Sequence, residues 1–298
     1  MRKIAVGASS FGEASDKAVN LLLEHGIDII KNPYNRKLTE TETIDHLKDA
    51  QGLLAGLETL NKSVLSRAPN LKAIARIGVG MENIDLEYAK KSNIKVSNTP
   101  TGPTEAVAEM TVAALMSIGR NIVTANADMH QGIWRKSIGF SISGLNVLII
   151  GYGRIGKRVG EILKYLGANI ITFDQSTPDY SDALLEKALG EADVVTLHAS
   201  GNDEILSAQR LAKLKDKVVI LNSARGAMIN EETLYDMLKI GKVAYYWGDV
   251  FSHEPYSGKL KECENAILTP HIATYSRQCR ESMETEAVTN ILKDLNYV

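Results

Sequence analysis

Asn146-Val147-Leu148-Ile149-Ile150-Gly151-Tyr152-Gly153-Arg154-Ile155-Gly156 is the stretch on which the reading of this chain turns. An apolar run of strand length meets three glycines spaced Gly-x-Gly-x-x-Gly, and a helical pattern from Arg154 to about Leu166 follows. The glycine spacing alone is weak evidence, but a strand before it and a helix after it are the context that a dinucleotide-binding loop requires. Gly151 is expected to form the tight turn. Gly153 would let main-chain N–H groups around Arg154 and Ile155 approach a pyrophosphate. Gly156, with Gly160 one turn on, would let the helix pack closely on the sheet. The anion would then rest at the positive end of the helix dipole.

The next apolar run ends at Asp174, 23 residues after Gly151. That is near the spacing of a carboxylate that holds the adenine ribose hydroxyls. A carboxylate there repels a 2′-phosphate, and Gln175 and Ser176 bring no arginine to accommodate one, so NAD is expected rather than NADP. Two readings compete. One is a helix-capping glycine turn in an unrelated α/β protein. The other is a methyltransferase-type nucleotide site, which usually carries its glycine loop early in the domain.

Outward from this loop, strand-length apolar runs alternate with helical patterns in both directions. Toward the N-terminus, strands are expected at 3–6, 27–30, 52–55, 72–77 and 94–97, with helices at 15–25, 41–48, 61–68 and 86–91. A long helix from Thr104, as its N-cap, to about Gln131 comes next. Beyond the loop, strands are expected at 170–173, 194–198, 218–222, 245–249 and 266–269, and a last helix at 277–295. Such alternation predicts parallel sheets with helices on both faces. The expected fold is α/β with two doubly wound parallel-sheet domains, a Rossmann NAD-binding domain (99–274) inserted in a flavodoxin-like substrate domain (1–98 plus 275–298). Hinges are expected at 98–103 and 270–275.

The 298 residues carry 34 basic and 36 acidic side chains, a formal net charge of -2. No basic surplus points to nucleic acid or an anionic membrane surface. No apolar run is long enough to span a bilayer, and the residues after Lys3 do not form a secretory signal. Two cysteines, Cys263 and Cys279, form no CxxC or disulfide framework, so a reducing, cytoplasmic compartment is the expectation. No metal-ligand spacing is present, and no metal is expected.

Three segments downstream of the loop each follow an apolar strand with a polar residue, at the strand ends where doubly wound sheets bind ligands. They deliver Arg225 (after 218–222), Asp249 and Glu254 (after 245–248), and His271 (after 266–269). With these residues in view, the sequence resembles the D-isomer-specific 2-hydroxy acid dehydrogenase family, which includes phosphoglycerate, glycerate and D-lactate dehydrogenases. The resemblance covers nearly the whole chain. It runs through Asn70-Leu71-Lys72-Ala73-Ile74-Ala75-Arg76-Ile77-Gly78-Val79-Gly80-Met81-Glu82-Asn83-Ile84-Asp85, Asn98-Thr99-Pro100, Ala106-Val107-Ala108-Glu109 and the glycine loop. It continues through Ser223-Ala224-Arg225-Gly226, Asp249-Val250-Phe251 with Glu254-Pro255, and Pro270-His271-Ile272.

The resemblance implies an NAD-dependent oxidoreductase of the EC 1.1.1 class. Hydride would pass between nicotinamide and C2 of a small 2-hydroxy or 2-oxo acid, with 3-phosphoglycerate among the candidates. Arg225 would bind the substrate carboxylate and polarise the 2-oxo group, a task suited to its planar fork of donors. His271 would be the acid/base, apt because an ordinary imidazole titrates near pH 6.5, and Glu254 would orient it. Main-chain N–H groups of Gly78, Val79 and Gly80 would hold the carboxylate. Thr104, Ser223, Ala224, His198 and Asp249 would line the coenzyme, Asp249 near the nicotinamide amide. Arg76 is a candidate for a substrate phosphate or second carboxylate, or equally a strand-end surface residue.

His25, His46 and His130 read as structural, and His253 gives way to His271. Trp134 and the alanine-rich helix before it read as core and as the surface of a homodimer. After His198 the chain departs from the family, with Ala199-Ser200-Gly201-Asn202-Asp203 in place of an apolar residue, proline and threonine, which bears on coenzyme affinity. Because the chain stops at Val298, regulation by an added C-terminal domain is expected to be absent. The alternative function is a non-catalytic, dimeric NAD(H)-sensing protein on the same fold.

Overall fold

A computed structural model describes residues 2–177 and 181–298. The chain divides into two compact units, Met1–Pro103 with Thr274–Val298, and Thr104–Ala273.

The first unit is built from β1 (Lys3–Val6), α1 (Lys17–Glu24), β2 (Asp28–Ile30), α2 (Glu40–Leu47), β3 (Gly52–Ala55), α3 (Lys62–Leu65), β4 (Ala73–Arg76), α4 (Leu86–Lys91) and β5 (Lys95–Asn98). All strands pair in parallel in the order β2-β1-β3-β4-β5. This is the flavodoxin-like winding, whose strand order reverses between β1 and β3. Local chemistry fixes the helix starts. Thr39 and Glu42 form a capping box on α2, and the side chains of Asn61 and Asp85 cap α3 and α4. The third helix is one turn long, shorter than the periodicity suggests, because Pro69 and the residue before it cannot continue it.

The second unit begins with α5 (Pro103–Gly119) and α6 (Ile122–His130), then β6 (Asn146–Ile150), α7 (Arg154–Tyr165), β7 (Asn169–Phe173), α8 (Asp182–Glu191), β8 (Val194–Leu197), α9 (Ala208–Ala212), β9 (Val218–Asn222), α10 (Glu231–Lys239), β10 (Val243–Gly248) and β11 (Ala266–Leu268). Its parallel sheet runs β11-β10-β9-β8-β6-β7 among the described residues. The order reverses between β6 and β8. The long helix expected from Thr104 to Gln131 is instead two helices bent by 61°. The Gly119 carbonyl accepts from Phe140 N (2.7 Å), and Asn121 adopts a left-handed φ of 54°. Nor is Thr104 an N-cap. The helix begins one residue earlier at Pro103, which suits a first helical position because its missing N–H needs no partner there.

Apolar alternation gives each sheet its core. Leu53, Ile74 and Leu47 are fully buried in one unit, and Leu148, Ile149 and Trp247 in the other. Each such side chain contributes roughly 1.5–3 kcal/mol by leaving water. The last helix, α11 (Arg277–Asp294), returns to the first unit and packs on β3, β4, β5 and α1 through Val288, Ile291 and Leu292.

Candidate active site

The glycine loop lies at the reversal of the second sheet. Gly151 has φ 90°, and its Cα faces the backbone of His198 and Ala199, so no side chain fits. Gly156 abuts the Gly151 carbonyl, which brings α7 onto the sheet. The position of a Gly153 Cβ, by contrast, has no atom within 4 Å. This open side lets a ligand approach the uncapped first turn of α7. Arg154 is exposed and Ile155 half-buried beside it. A cleft of about 550 Å³ opens here, lined by Gly151, Gly153, Asp174, Ser176, His198 and Asp203.

Asp174 accepts from Tyr152 N (2.6 Å) and from Ser176 N (2.9 Å) and Oγ (2.6 Å). These bonds, those from Ser176 foremost, hold its carboxyl below the usual range. An ionised carboxylate thus faces the cleft where ribose hydroxyls would be held. His198 is half-buried, with Nε2 2.9 Å from the Thr196 hydroxyl and Nδ1 3.5 Å from that of Ser223. Burial pushes its imidazole down to about 3, so it presents a neutral wall. Ser223 and Ala224 follow β9 beside it. A floor of bare backbone, a helix N-terminus and a ribose-distance carboxylate together fit NAD.

Three neighbouring strands carry the remaining polar residues at their carboxyl ends. After β9, the fully buried Asn222 donates to Arg225 O (2.9 Å) and accepts from Ala224 N (3.0 Å), which shapes the turn that presents Arg225. Gly226 must lack a side chain because the backbone of Phe251 and Ser252 crosses there. Arg225 Nη1 donates to Ala224 O (2.7 Å). After β10, Glu254 Oε1 accepts from Phe251 N (3.0 Å), while its Oε2 lies 2.9 Å from His271 Nδ1. That carboxylate fixes the proton on Nδ1 and leaves Nε2 as the exchanging nitrogen. His271 sits in the left-handed region at φ 55°, where a non-glycine residue stays only if its surroundings hold it.

Asp249 supplies that hold. It has no exposed surface, and its carboxylate accepts from Thr269 Oγ1 (2.6 Å), Ile272 N (2.9 Å) and Ala273 N (2.8 Å). The carboxylate is thus bound by the loop that carries His271. Trp247 Nε1 donates to Thr269 Oγ1 (3.1 Å) and extends the same brace. Asn222 and Thr269 escaped the sequence reading. Their only signal was a polar residue at the last position of an apolar strand.

In the first unit, β4 ends at Arg76 and leads into Gly78-Val79-Gly80. Gly78 is buried, and its N–H donates to Thr99 Oγ1 (2.7 Å), so it does not reach outward as expected. Val79 is 40% exposed, and Asn98 Nδ2 donates to its carbonyl (2.7 Å). Trp134, read as core, is 78% exposed. His25 Nδ1 lies 2.8 Å from Leu21 O and His46 Nε2 3.0 Å from Val6 O, both structural.

The model of the D-isomer specific 2-hydroxyacid dehydrogenase NAD binding domain matches residues 112–273, more than half of the chain. The chain belongs to this family. It is an NAD-dependent D-2-hydroxyacid dehydrogenase, of the EC 1.1.1 class. A hydroxypyruvate reductase of Thermotoga maritima is 34% identical over 247 residues, 78% of this dehydrogenase and 80% of the relative. A D-3-phosphoglycerate dehydrogenase of Methanocaldococcus jannaschii is 33% identical over 87% of this chain but only 52% of its own length. The crystal structure of a Thermus thermophilus protein superposes with TM-score 0.89 at 31% identity, covering 99% of this dehydrogenase and 97% of that chain. No single helix among the described residues is long and apolar enough to cross a membrane.

Proposed function

We propose that the enzyme reduces a small 2-oxo acid to the D-2-hydroxy acid and catalyses the reverse oxidation, with Arg225, Glu254 and His271 as its catalytic residues. The Glu254–His271 pair, 2.9 Å apart at the carboxyl edge that also carries Arg225, supports this reading above all else. Hydride chemistry at C2 would be what NAD supplies when bound. Arg225 presents donors to the C1 carboxylate and the 2-oxo oxygen and draws charge toward that oxygen. His271 Nε2 gives its proton to the oxygen as the hydroxyl forms and takes it back in oxidation. Glu254 stabilises the ring while it is charged. Asp249 keeps the 269–273 loop in place so that His271 meets the oxygen at hydrogen-bond distance. The N–H groups of Val79 and Gly80 are our candidates for further donors to a substrate carboxylate. Thr104, Arg154, Ile155 and His198 contact the coenzyme.

Glyoxylate, pyruvate, hydroxypyruvate and phosphohydroxypyruvate form the test panel, and we expect NADH oxidation with at least one. No turnover with any of them while NADH still binds would overturn the reading.

The exposed apolar side chains Ile122, Val123, Met129, Trp134 and Ile138 support a homodimer, since scattered single residues rarely gather on one stretch without a partner. Light scattering that returned a monomer would contradict it. Two buried, free cysteines, Cys263 and Cys279, accord with a cytoplasmic setting, which localisation of a tagged chain would test.

A further inference from the structure

Glu254 reaches His271 from an exposed stretch of chain. Ser252, His253, Glu254 and Pro255 are all exposed, so little of this loop is held by burial. The residues on either side of it differ. Phe251 and Tyr256 are half-buried, and their rings stack with centroids 4.1 Å apart and planes 25° apart. The stacked pair closes the loop 252–255 at its base, an attraction beyond the area the rings bury.

Each ring is tied further. The Phe251 N–H donates to Glu254 Oε1 (3.0 Å), and the Phe251 backbone crosses Gly226, the residue after Arg225, where a Cβ would overlap it. The Tyr256 ring packs against the core that includes Met228, Leu234 and Leu260. Its hydroxyl donates to Glu231 Oε1 (2.6 Å), in the first turn of α10, and accepts from Leu260 N (3.1 Å). The hydroxyl thus works as donor and acceptor at once. Gly258 leaves the room for this, because a Cβ there would overlap both the Tyr256 hydroxyl and the Glu231 carboxyl group. Burial first, and the bond to Glu231 next, push the phenol up, which keeps it a donor. A continuous path therefore runs from the start of α10 through Tyr256 and Phe251 to Glu254, and on to His271 Nδ1 (2.9 Å).

We propose that Tyr256 is a positioning residue for the reaction: hung from Glu231, it clamps Phe251 and so sets the place from which Glu254 meets His271. The inference rests on the proposed roles of Glu254 and His271, and it has Tyr256 act only through Glu254.

The test measures kcat and KM for the 2-oxo acid that wild type reduces best, with NADH affinity and melting temperature followed alongside. Tyr256→Leu should lower kcat about tenfold, within the loss that a small misplacement of a catalytic group brings. KM and NADH affinity should change less than about twofold. Tyr256→Phe keeps the stacked ring, loses only the hydroxyl bonds, and should lower kcat about threefold. In a Glu254→Gln background, Tyr256→Leu should cost less than about twofold more, because residues acting through one another do not add. Additive losses, or a loss confined to KM, would overturn the inference. So would a lower melting temperature with kcat unchanged, which would leave the stack serving the fold alone. If Tyr256→Leu does not fold, Tyr256→Phe and Glu231→Ala decide. Both should lower kcat about threefold, and wild-type rates in both would contradict the proposal. Each of these failures leaves turnover by wild type intact, whereas failure of the functional reading removes it from wild type itself.

Discussion

Both parallel sheets reverse their winding once, and the two reversal points have opposite contents. In the second unit the crevice between β6 and β8 is open: Gly153 faces empty space, and a cleft of about 550 Å³ lies beside it. In the first unit the crevice between β1 and β3 holds the Glu58 carboxylate, wedged between Gly7 and Gly56. The same winding thus yields a coenzyme seat in one unit and a buried brace in the other. Glycines serve both, for different reasons. In the open crevice they admit a ligand, and in the filled one they admit a side chain of the same protein.

Substitutions at these glycines should separate the two cases. Gly153→Val should weaken NADH on the order of 100-fold by fluorescence titration while leaving the melting temperature near wild type, because only the ligand is displaced. Gly7→Ala should do the reverse. It should destabilise the fold by about 1–3 kcal/mol in urea unfolding, as overpacking does, with NADH affinity unchanged. A stable Gly7→Ala protein, or a Gly153→Val protein that still binds NADH tightly, would break the comparison.

The smallest effect concerns pH. His198 is held neutral in the folded state, with its imidazole near 3, whereas an unfolded histidine titrates near 6.5. Its contribution is fully present above pH 6.5 and is lost as pH falls below that, since the unfolded chain then binds the extra proton. Between pH 7 and pH 5.5 wild type should lose about 1 kcal/mol more stability than His198→Asn. Equal pH slopes would show that His198 titrates alike in both states.

Much of this was legible in the chain. The glycine loop, Asp174 and the β/α alternation each bear a local signature, so the sheets and the coenzyme seat could be read from spacing. The helix break at Asn121 was not legible, because it depends on Phe140 taking the Gly119 carbonyl from about twenty residues away. The enclosure of Asp249 was equally hidden, since its three donors come from 269–273, and sequence shows only an acid after a strand. Gly78 read as a carboxylate donor for want of any sign that Thr99 would take its N–H. Glu58 gave no signal at all. A lone glutamate in a loop reads as solvated, and only the meeting of Gly7, Gly56 and Asn83 around it reveals a buried carboxyl group.

The central claim is that His271, oriented by Glu254, moves the proton while the coenzyme moves the hydride. Single-turnover oxidation of enzyme-bound NADH by a 2-oxo acid that wild type reduces, compared between wild type and His271→Asn, tests it most directly. The rate should fall on the order of 1,000-fold in the variant, within the range of a lost general acid, with NADH affinity unchanged. An undiminished rate in His271→Asn would contradict the account.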